Sequence, residues 1–259
     1  MRMDASIAAV VTGGASGLGE ATVRALIEAG VRTTIFDRNT AAGSNLARQV
    51  GGLFVEVDVL SEVSVDEGFR LARAAHGPER ILVNCAGGGN AIRTLRRDKK
   101  TGAIKCFPTE DFTSVLMLNT VGTFRCISRS AAAMAAIEAL DGERGVIINV
   151  TSVAAREGQV GQAAYAASKA AVAGMTLPIA RDLAAEAIRV NAIMPGCFAT
   201  PAMLSAPAPV LESLRASVLF PQRLGQPAEF ASLVLEIVRN PYLNGAVLPL
   251  DGGIRMGSR

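Results

Sequence analysis

Tryptophan is absent from the 259-residue chain, histidine occurs once and tyrosine twice, and aromatic residues make up only 4%. The core must therefore be built from Ala, Val, Ile and Leu. A hydrophobic share of 50% and a mean hydropathy of +0.33 supply enough apolar material for one large domain. The four cysteines (Cys85, Cys106, Cys126 and Cys197) have no paired spacing. Together with a single histidine, His76, they leave no credible zinc site and no Ser–His–acid triad with a nucleophile elbow. The expected state is reduced thiols in a reducing compartment. A net charge of +3 is too small to argue for nucleic acid. The start, MRMDASIAAVVTGG, lacks the apolar region and cleavage site of a signal peptide. The long uncharged stretch from Val190 to Leu211 is broken by Pro195, Pro201, Pro207 and Pro209, which argues for a loop and against a membrane helix. The expectation is a soluble, cytoplasmic protein with neither a nucleic-acid nor a membrane partner.

What is present is an alternation. Short apolar runs rich in β-branched residues (Ile7–Val11, Thr33–Phe36, Phe54–Val57, Ile81–Val83, Val146–Val150, Arg189–Ile193 and Ala246–Leu250) read as strands buried on both faces. Between them lie helical stretches near Gly19–Glu28, Ala41–Val50, Val63–His76, Thr109–Leu140, Ala163–Ala185 and Pro227–Arg239. Thr-Glu-Asp at residue 109 reads as a helix cap, and His76 as a helix-end residue. This pattern predicts a single α/β domain, a Rossmann-type parallel sheet with helices on both faces. Gly87–Pro108 and Met194–Gln226 are the two long irregular stretches, and loops of that length are usually functional.

Ligands of such sheets bind beyond the carboxyl ends of the strands. After the first strand comes Thr12-Gly-Gly-Ala-Ser-Gly-Leu-Gly19, with Gly13, Gly17 and Gly19 ahead of a helix. Glycines let the backbone approach a pyrophosphate, and the helix start offers free N–H groups. The second strand ends at Asp37, a carboxylate placed to accept hydrogen bonds from adenosine ribose hydroxyls and to repel a 2′-phosphate. No basic residue stands at Ala15 or Ser16, although Arg38 adjoins the site, so NAD is favoured over NADP. Asp58-Val59 is placed to hold the adenine edge. Asn84-Cys85-Ala86-Gly87 offers small residues for close approach of a ribose.

At the other end, Ser152 follows the fifth strand, and Ala163-Ala-Tyr165-Ala-Ala-Ser-Lys169 follows on a helix. Tyr165 and Lys169 are spaced i, i+4 and share one face. A free phenol, with a pKa of about 10, is a poor base at neutral pH. A neighbouring ammonium and a positive nicotinamide ring would favour tyrosinate, and lowering the pKa by about three units takes about 4 kcal/mol. Ser152 would donate a hydrogen bond to a substrate oxygen. The basic run Arg93-Thr-Leu-Arg-Arg-Asp-Lys-Lys100 has two readings: a solvated hairpin, or a docking site for substrate phosphates. Met203, Leu204, Val210, Leu211 and Leu214 either cover an apolar substrate or simply pack.

Thr12–Gly19, Asn84–Gly87, Asn119, Ser152, Tyr165, Lys169 and Pro195-Gly196 together resemble the short-chain dehydrogenase/reductase family over nearly the whole chain. The departure is Cys85, where the family more often has a second Asn. The resemblance implies a seven-stranded sheet, a homotetramer and a catalytic set of Asn119, Ser152, Tyr165 and Lys169, with Asn119 supporting a water and Lys169 relaying protons. The cofactor half would span about residues 1–150 and the catalytic and substrate half about 151–259. Glu157-Gly-Gln-Val-Gly-Gln-Ala-Ala-Tyr165, Gly174–Leu183 and Leu250–Met256 resemble more narrowly the 3-hydroxyacyl-CoA dehydrogenases of that family. That similarity implies NAD contacts at Ser16, Leu18, Asp37, Asp58, Val59, Cys85, Tyr165, Lys169, Phe198 and Thr200, and a secondary alcohol on an acyl-CoA or similar apolar substrate. Two alternatives stand beside it: an NADPH-dependent 3-oxoacyl-carrier-protein reductase, and a dinucleotide-binding sensor without turnover.

Overall fold

The computed structural model describes residues 1–257. Strands β1 (Ala8–Thr12), β2 (Arg32–Asp37), β3 (Leu53–Glu56), β4 (Ile81–Asn84), β7 (Gly145–Val150), β8 (Ile188–Pro195) and β9 (Val247–Leu250) form one sheet, in the order β3-β2-β1-β4-β7-β8-β9. Every pairing is parallel. The seven-stranded Rossmann sheet expected from the sequence is therefore the one observed. β1, β4, β7 and β8 are buried along nearly their whole length, which explains their uninterrupted apolar runs.

Helices α1 (Gly17–Glu28), α2 (Thr40–Val50) and α10 (Pro227–Arg239) contribute to a core on one face through Val23, Leu26, Leu46, Phe230 and Val234. Helices α3 (Glu62–His76), α5 (Gly122–Ala135) and α7 (Ala163–Asp182) contribute to the other through Phe69, Ile127, Met134 and Ile179. Few aromatics are needed, because Ile and Val fill most of both layers. From β1 the chain builds outward to β2 and β3, then crosses back to β4 on the other side of β1. Such a reversal opens a crevice at the carboxyl ends of the two central strands.

The structure corrects four expectations. The helix expected over Thr109–Leu140 is α4 (Thr109–Leu116), a π-helical turn (Met117–Val121) and α5, ending at Ala135. The chain then makes a tight turn, with Asp141 and Gly142 at φ 51° and 79° and Leu140 bridged to Glu143. Asp-Gly is a favoured pair in such turns. Thr109 does not cap α4. Pro108 holds that position without a side-chain bond, and Glu110 and Asp111 favour the helix start by charge alone. Gly87–Pro108 is not wholly irregular, because it contains a hairpin of β5 (Leu95–Arg97) and β6 (Ile104–Cys106). Met194–Gln226 likewise contains α8 (Pro201–Leu204) and α9 (Ala208–Ala216). The short helix α6 (Ala154–Glu157) lies between β7 and α7. His76 does end α3, and its ring Nδ1 lies 3.2 Å from the Thr34 hydroxyl. Among the described residues, no helix is long and apolar enough to cross a membrane.

Candidate active site

A cleft of about 490 Å³ runs across the carboxyl ends of β1, β2, β4 and β7. It gathers residues from far apart in sequence. Gly13, Ser16, Gly17, Leu18 and Gly19 form one end with Asp37, Asp58 and Val59. Cys85 and Gly87 lie on its wall, and Ser152, Tyr165 and Lys169 also line it, together with Phe198 and Thr200. Arg38 and Met203, both singled out in the sequence, line it as well, and so do Phe36, Leu60 and Thr151, which were unforeseen as site residues. The signal of these three in the sequence was position alone, each standing at or just beyond a strand end.

The glycines of the first turn are required by geometry. Gly13 and Gly17 have φ of 61° and 55°, the left-handed region that favours glycine. A Cβ on Gly13 would stand 2.7 Å from the Ala86 backbone, and one on Gly19 would stand 2.1 Å from the Gly13 carbonyl oxygen. The β1 turn and the β4 end are therefore packed backbone to backbone, and Ala86 N donates to Thr12 Oγ1 at 3.1 Å. Ser16 precedes α1 without a side-chain capping bond, so the first-turn N–H groups stay available to an anion. Asp37 orients this turn: its Oδ2 accepts from Ala15 N at 3.1 Å and its Oδ1 from Asn39 N at 2.9 Å. A glycine-lined backbone cradle, an open helix start and a carboxylate at the next strand end fit the diphosphate and ribose of a dinucleotide.

Tyr165 and Lys169 sit on α7, one turn apart. The Lys169 ammonium lies 5.9 Å from the Tyr165 ring centroid and donates to the Val150 carbonyl at 2.9 Å. Thr151 Oγ1 donates to the Lys169 carbonyl at 2.7 Å, tying α7 to the end of β7. Lys169 is buried, and desolvation pulls its pKa down to about 8, with the Cys85 thiol nearby acting weakly in the other direction. Burial also holds the Tyr165 phenol above its ordinary value, against a lowering interaction with Ser152. The lowered phenol expected from the sequence is that of the cofactor complex, with a positive nicotinamide ring beside it. In the protein alone, desolvation outweighs the Ser152 hydrogen bond, and the Cys197 thiol adds to the rise. The glycine Gly89 packs on the Tyr165 ring, where a Cβ would come within 2.7 Å of Cδ2.

Asn119 is placed differently from the other expected site residues. It is fully buried in the π turn and does not line the cleft. Its Oδ1 accepts from Gly88 N at 2.9 Å, and its Nδ2 donates to the Gly88 carbonyl and to Ser168 Oγ, both at 2.8 Å. It thus clamps the Gly87–Gly88 segment against α7, one residue before Lys169. A π turn carries an extra residue relative to an α-helix, and such turns recur at functional sites. Among the described residues, no cluster of His, Cys, Asp and Glu could hold a metal ion.

The family model for short chain dehydrogenase matches residues 7–209. The chain is a short-chain dehydrogenase. Relatives of this dehydrogenase include 3-hydroxyacyl-CoA dehydrogenase type-2 from Drosophila melanogaster, 48% identical over 95% of this chain and 96% of the relative. The human protein of the same name is 47% identical over 96% and 95%. Among solved structures, 3-hydroxyacyl-CoA dehydrogenase type-2 from Mycobacterium avium superposes over the full length of both chains with a TM-score of 0.92 and 40% identity. A 7α-hydroxysteroid dehydrogenase, complexed with NADH and 7-oxo glycochenodeoxycholic acid, superposes with a TM-score of 0.87 at 29% identity, covering 100% of this chain and 97% of that one. Short-chain dehydrogenases bind nicotinamide dinucleotides, the group whose shape the cleft of this dehydrogenase fits.

Proposed function

We propose that this dehydrogenase oxidises the secondary alcohol of a 3-hydroxyacyl-CoA or a similar apolar hydroxy substrate, reversibly, with NAD. The observation that carries the reading is the convergence of Ser152, Tyr165 and Lys169 in the same cleft as the glycine cradle. When bound, the oxidised nicotinamide ring supplies the hydride acceptor. The substrate hydroxyl lies between Ser152, which donates a hydrogen bond to its oxygen, and Tyr165, which takes its proton as a general base. Lys169 holds a ribose and favours the tyrosinate, and Asn119 keeps the Gly87–Gly88 wall in place. Residues up to about 150 supply most of the cofactor end, and those beyond supply the chemistry. An NADH absorbance assay over 3-hydroxyacyl-CoAs, steroids and sugar alcohols tests this. Turnover on none of the first class would refute the substrate assignment.

Asp37 supports NAD over NADP, because both its oxygens are fixed by backbone N–H groups and point a carboxylate into the cleft. Like charges brought together are costly. Asp37→Ser should lower the NAD-to-NADP ratio of kcat/KM by about thirtyfold, or roughly 2 kcal/mol. An unchanged ratio would show that discrimination lies elsewhere, with Arg38 the next residue to test. An NADPH-dependent reductase is the reading this experiment would revive.

The CoA part of the proposal draws on the hairpin. Lys99 and Lys100 are exposed at its tip, while the one acidic residue there, Asp98, is consumed by the turn. Hydrogen bonds from Thr101 and Lys100 hold the Asp98 carboxyl below its usual range. At its base, Ile92 N donates to the Gly161 carbonyl, joining the hairpin to the loop that leads into α7. A groove of about 440 Å³ lies between Arg93–Leu95 and Gly158–Ala166. Lys99→Ala/Lys100→Ala should raise KM for an acyl-CoA about fivefold at low salt and leave a phosphate-free alcohol unaffected. An equal effect on both would leave the hairpin as solvated surface.

Two further features support the expected setting. Met117, Val121 and Phe124 are spaced along the π turn and α5 and are exposed, as is Leu177 on α7, which suits burial between subunits of a homotetramer. The four cysteines are all free thiols, as a cytoplasmic protein would have them.

A further inference from the structure

Arg125 is a buried cation with no part in the chemistry above. It sits on α5 with about a tenth of its side chain exposed. Its neighbours in that helix, Cys126 and Ile127, belong to the apolar layer under the sheet. Burying a guanidinium there is costly unless it is paired and its donors are used. One Nη donates to the main-chain oxygen of Val59. Among the described residues, Nε makes no hydrogen bond and has the exposed Glu62 carboxylate 3.6 Å away. Among the described residues, the hydrogen bond this charge makes is thus to a backbone carbonyl.

That carbonyl belongs to a wall of the cleft. Val57, Asp58, Val59 and Leu60 line it in succession. On one side the segment is fastened by Asp58 N donating to Ser64 Oγ at 3.0 Å and by Leu60 N donating to Asp58 Oδ1 at 2.9 Å. On the other side it meets α5 so closely that a Cβ on Gly122 would stand 2.9 Å from Val59 Cγ2. Arg125 supplies the polar tie on that second side.

We infer that Arg125 is a positioning residue for the cofactor: by holding the Val59 carbonyl it sets the Asp58–Leu60 wall against which the adenine end of the dinucleotide rests. This rests on the reading of the cleft as a dinucleotide site. Arg125 then governs affinity and not the chemical step, since its only tie to the cleft is through this wall and not through Tyr165, Ser152 or Lys169.

The test measures the affinity of Arg125→Met for NADH by the fluorescence of the reduced nicotinamide, which no tryptophan obscures in this chain. ADP-ribose, which has no nicotinamide, serves as a competitor. Loss of one charged hydrogen bond should raise Kd for both about tenfold. KM for NAD should rise in step, while kcat at saturating NAD stays within about twofold. Arg125→Gln, too short to reach Val59, should behave alike, and Arg125→Lys should recover part of the loss. An unchanged Kd for ADP-ribose in the Met or Gln variant, whatever happens to Tm, overturns the inference. So does a fall in kcat alone. If neither variant folds, Arg125 is a scaffold residue and the inference also fails. Absence of NADH binding by the unaltered protein would instead refute the dinucleotide reading itself.

Discussion

Tyr165→Phe should reduce kcat for alcohol oxidation by about a thousandfold while leaving NADH affinity within about twofold, because a positioned general base contributes roughly 10²–10⁴ to rate. The change removes one oxygen atom and keeps the ring. The ring is what packs against Gly89 and fills the cleft wall, so the fold and the cofactor end stay as they are. The pH profile makes the assignment sharper. In the protein without cofactor, burial holds the phenol above its ordinary pKa, so the protonated form is the one from which binding of the cofactor starts. For oxidation the active form is the deprotonated one, and its population rises tenfold per pH unit until the pKa is reached. Log kcat/KM should therefore climb with pH from neutral into the alkaline range with a slope approaching one. Ketone reduction needs the protonated form and should be favoured in the opposite direction. A variant that retains near-native kcat, or that keeps the same alkaline limb, would remove Tyr165 from the role of base.

The sheet was readable because its central strands are buried on both faces. Ile81–Val83 and Val146–Val150 carry no polar residue on either side until their carboxyl ends, where Asn84 and Asn149 mark the edge of the cleft. The cofactor end was readable for the same reason. Gly13, Gly17 and Gly19 announce contacts that any side chain would prevent. Three features were not legible. The π turn has no composition of its own; Met-Leu-Asn-Thr-Val continues a helical pattern, and only the packed structure shows that Asn119 turns inward to clamp Gly88. The end of α5 at Ala135 was hidden by the helix-forming residues that follow it up to Leu140. Arg125 was invisible because a lone Arg on a helix reads as surface, and its partner is a backbone oxygen 66 residues away. Interactions of side chains with distant main chain leave no mark in a local pattern. The phenol illustrates a different limit: sequence placed an ammonium beside it, but the balance between charge and desolvation depends on burial, which spacing does not report.

Lys169→Met should do two opposite things: lower kcat by about a hundredfold or more, and make the protein without cofactor more stable. The first follows from removing a cation buried beside Tyr165. The second follows from the same burial. A depression of the Lys169 pKa from 10.5 to about 8 means that the folded protein disfavours the ammonium by on the order of 3 kcal/mol. Met fills a similar volume without that penalty, although the Val150 carbonyl loses its donor, a cost of about 1–3 kcal/mol. A net gain of roughly 1 kcal/mol corresponds to about 2–4 °C in Tm for a chain of this size. The sign of its pH dependence can be worked out. Between about pH 8 and 10.5 the unfolded chain holds a proton on this lysine that the folded chain does not. The stability of the parent protein therefore gains from this group as pH rises through that window, and below it the penalty is complete. The advantage of the Met variant should accordingly be largest near neutral pH and shrink toward pH 10. A variant less stable than its parent at pH 7, or one whose advantage grows with pH, would mean that Lys169 is held by interactions stronger than its desolvation. The protein would then not be trading stability for chemistry at this position.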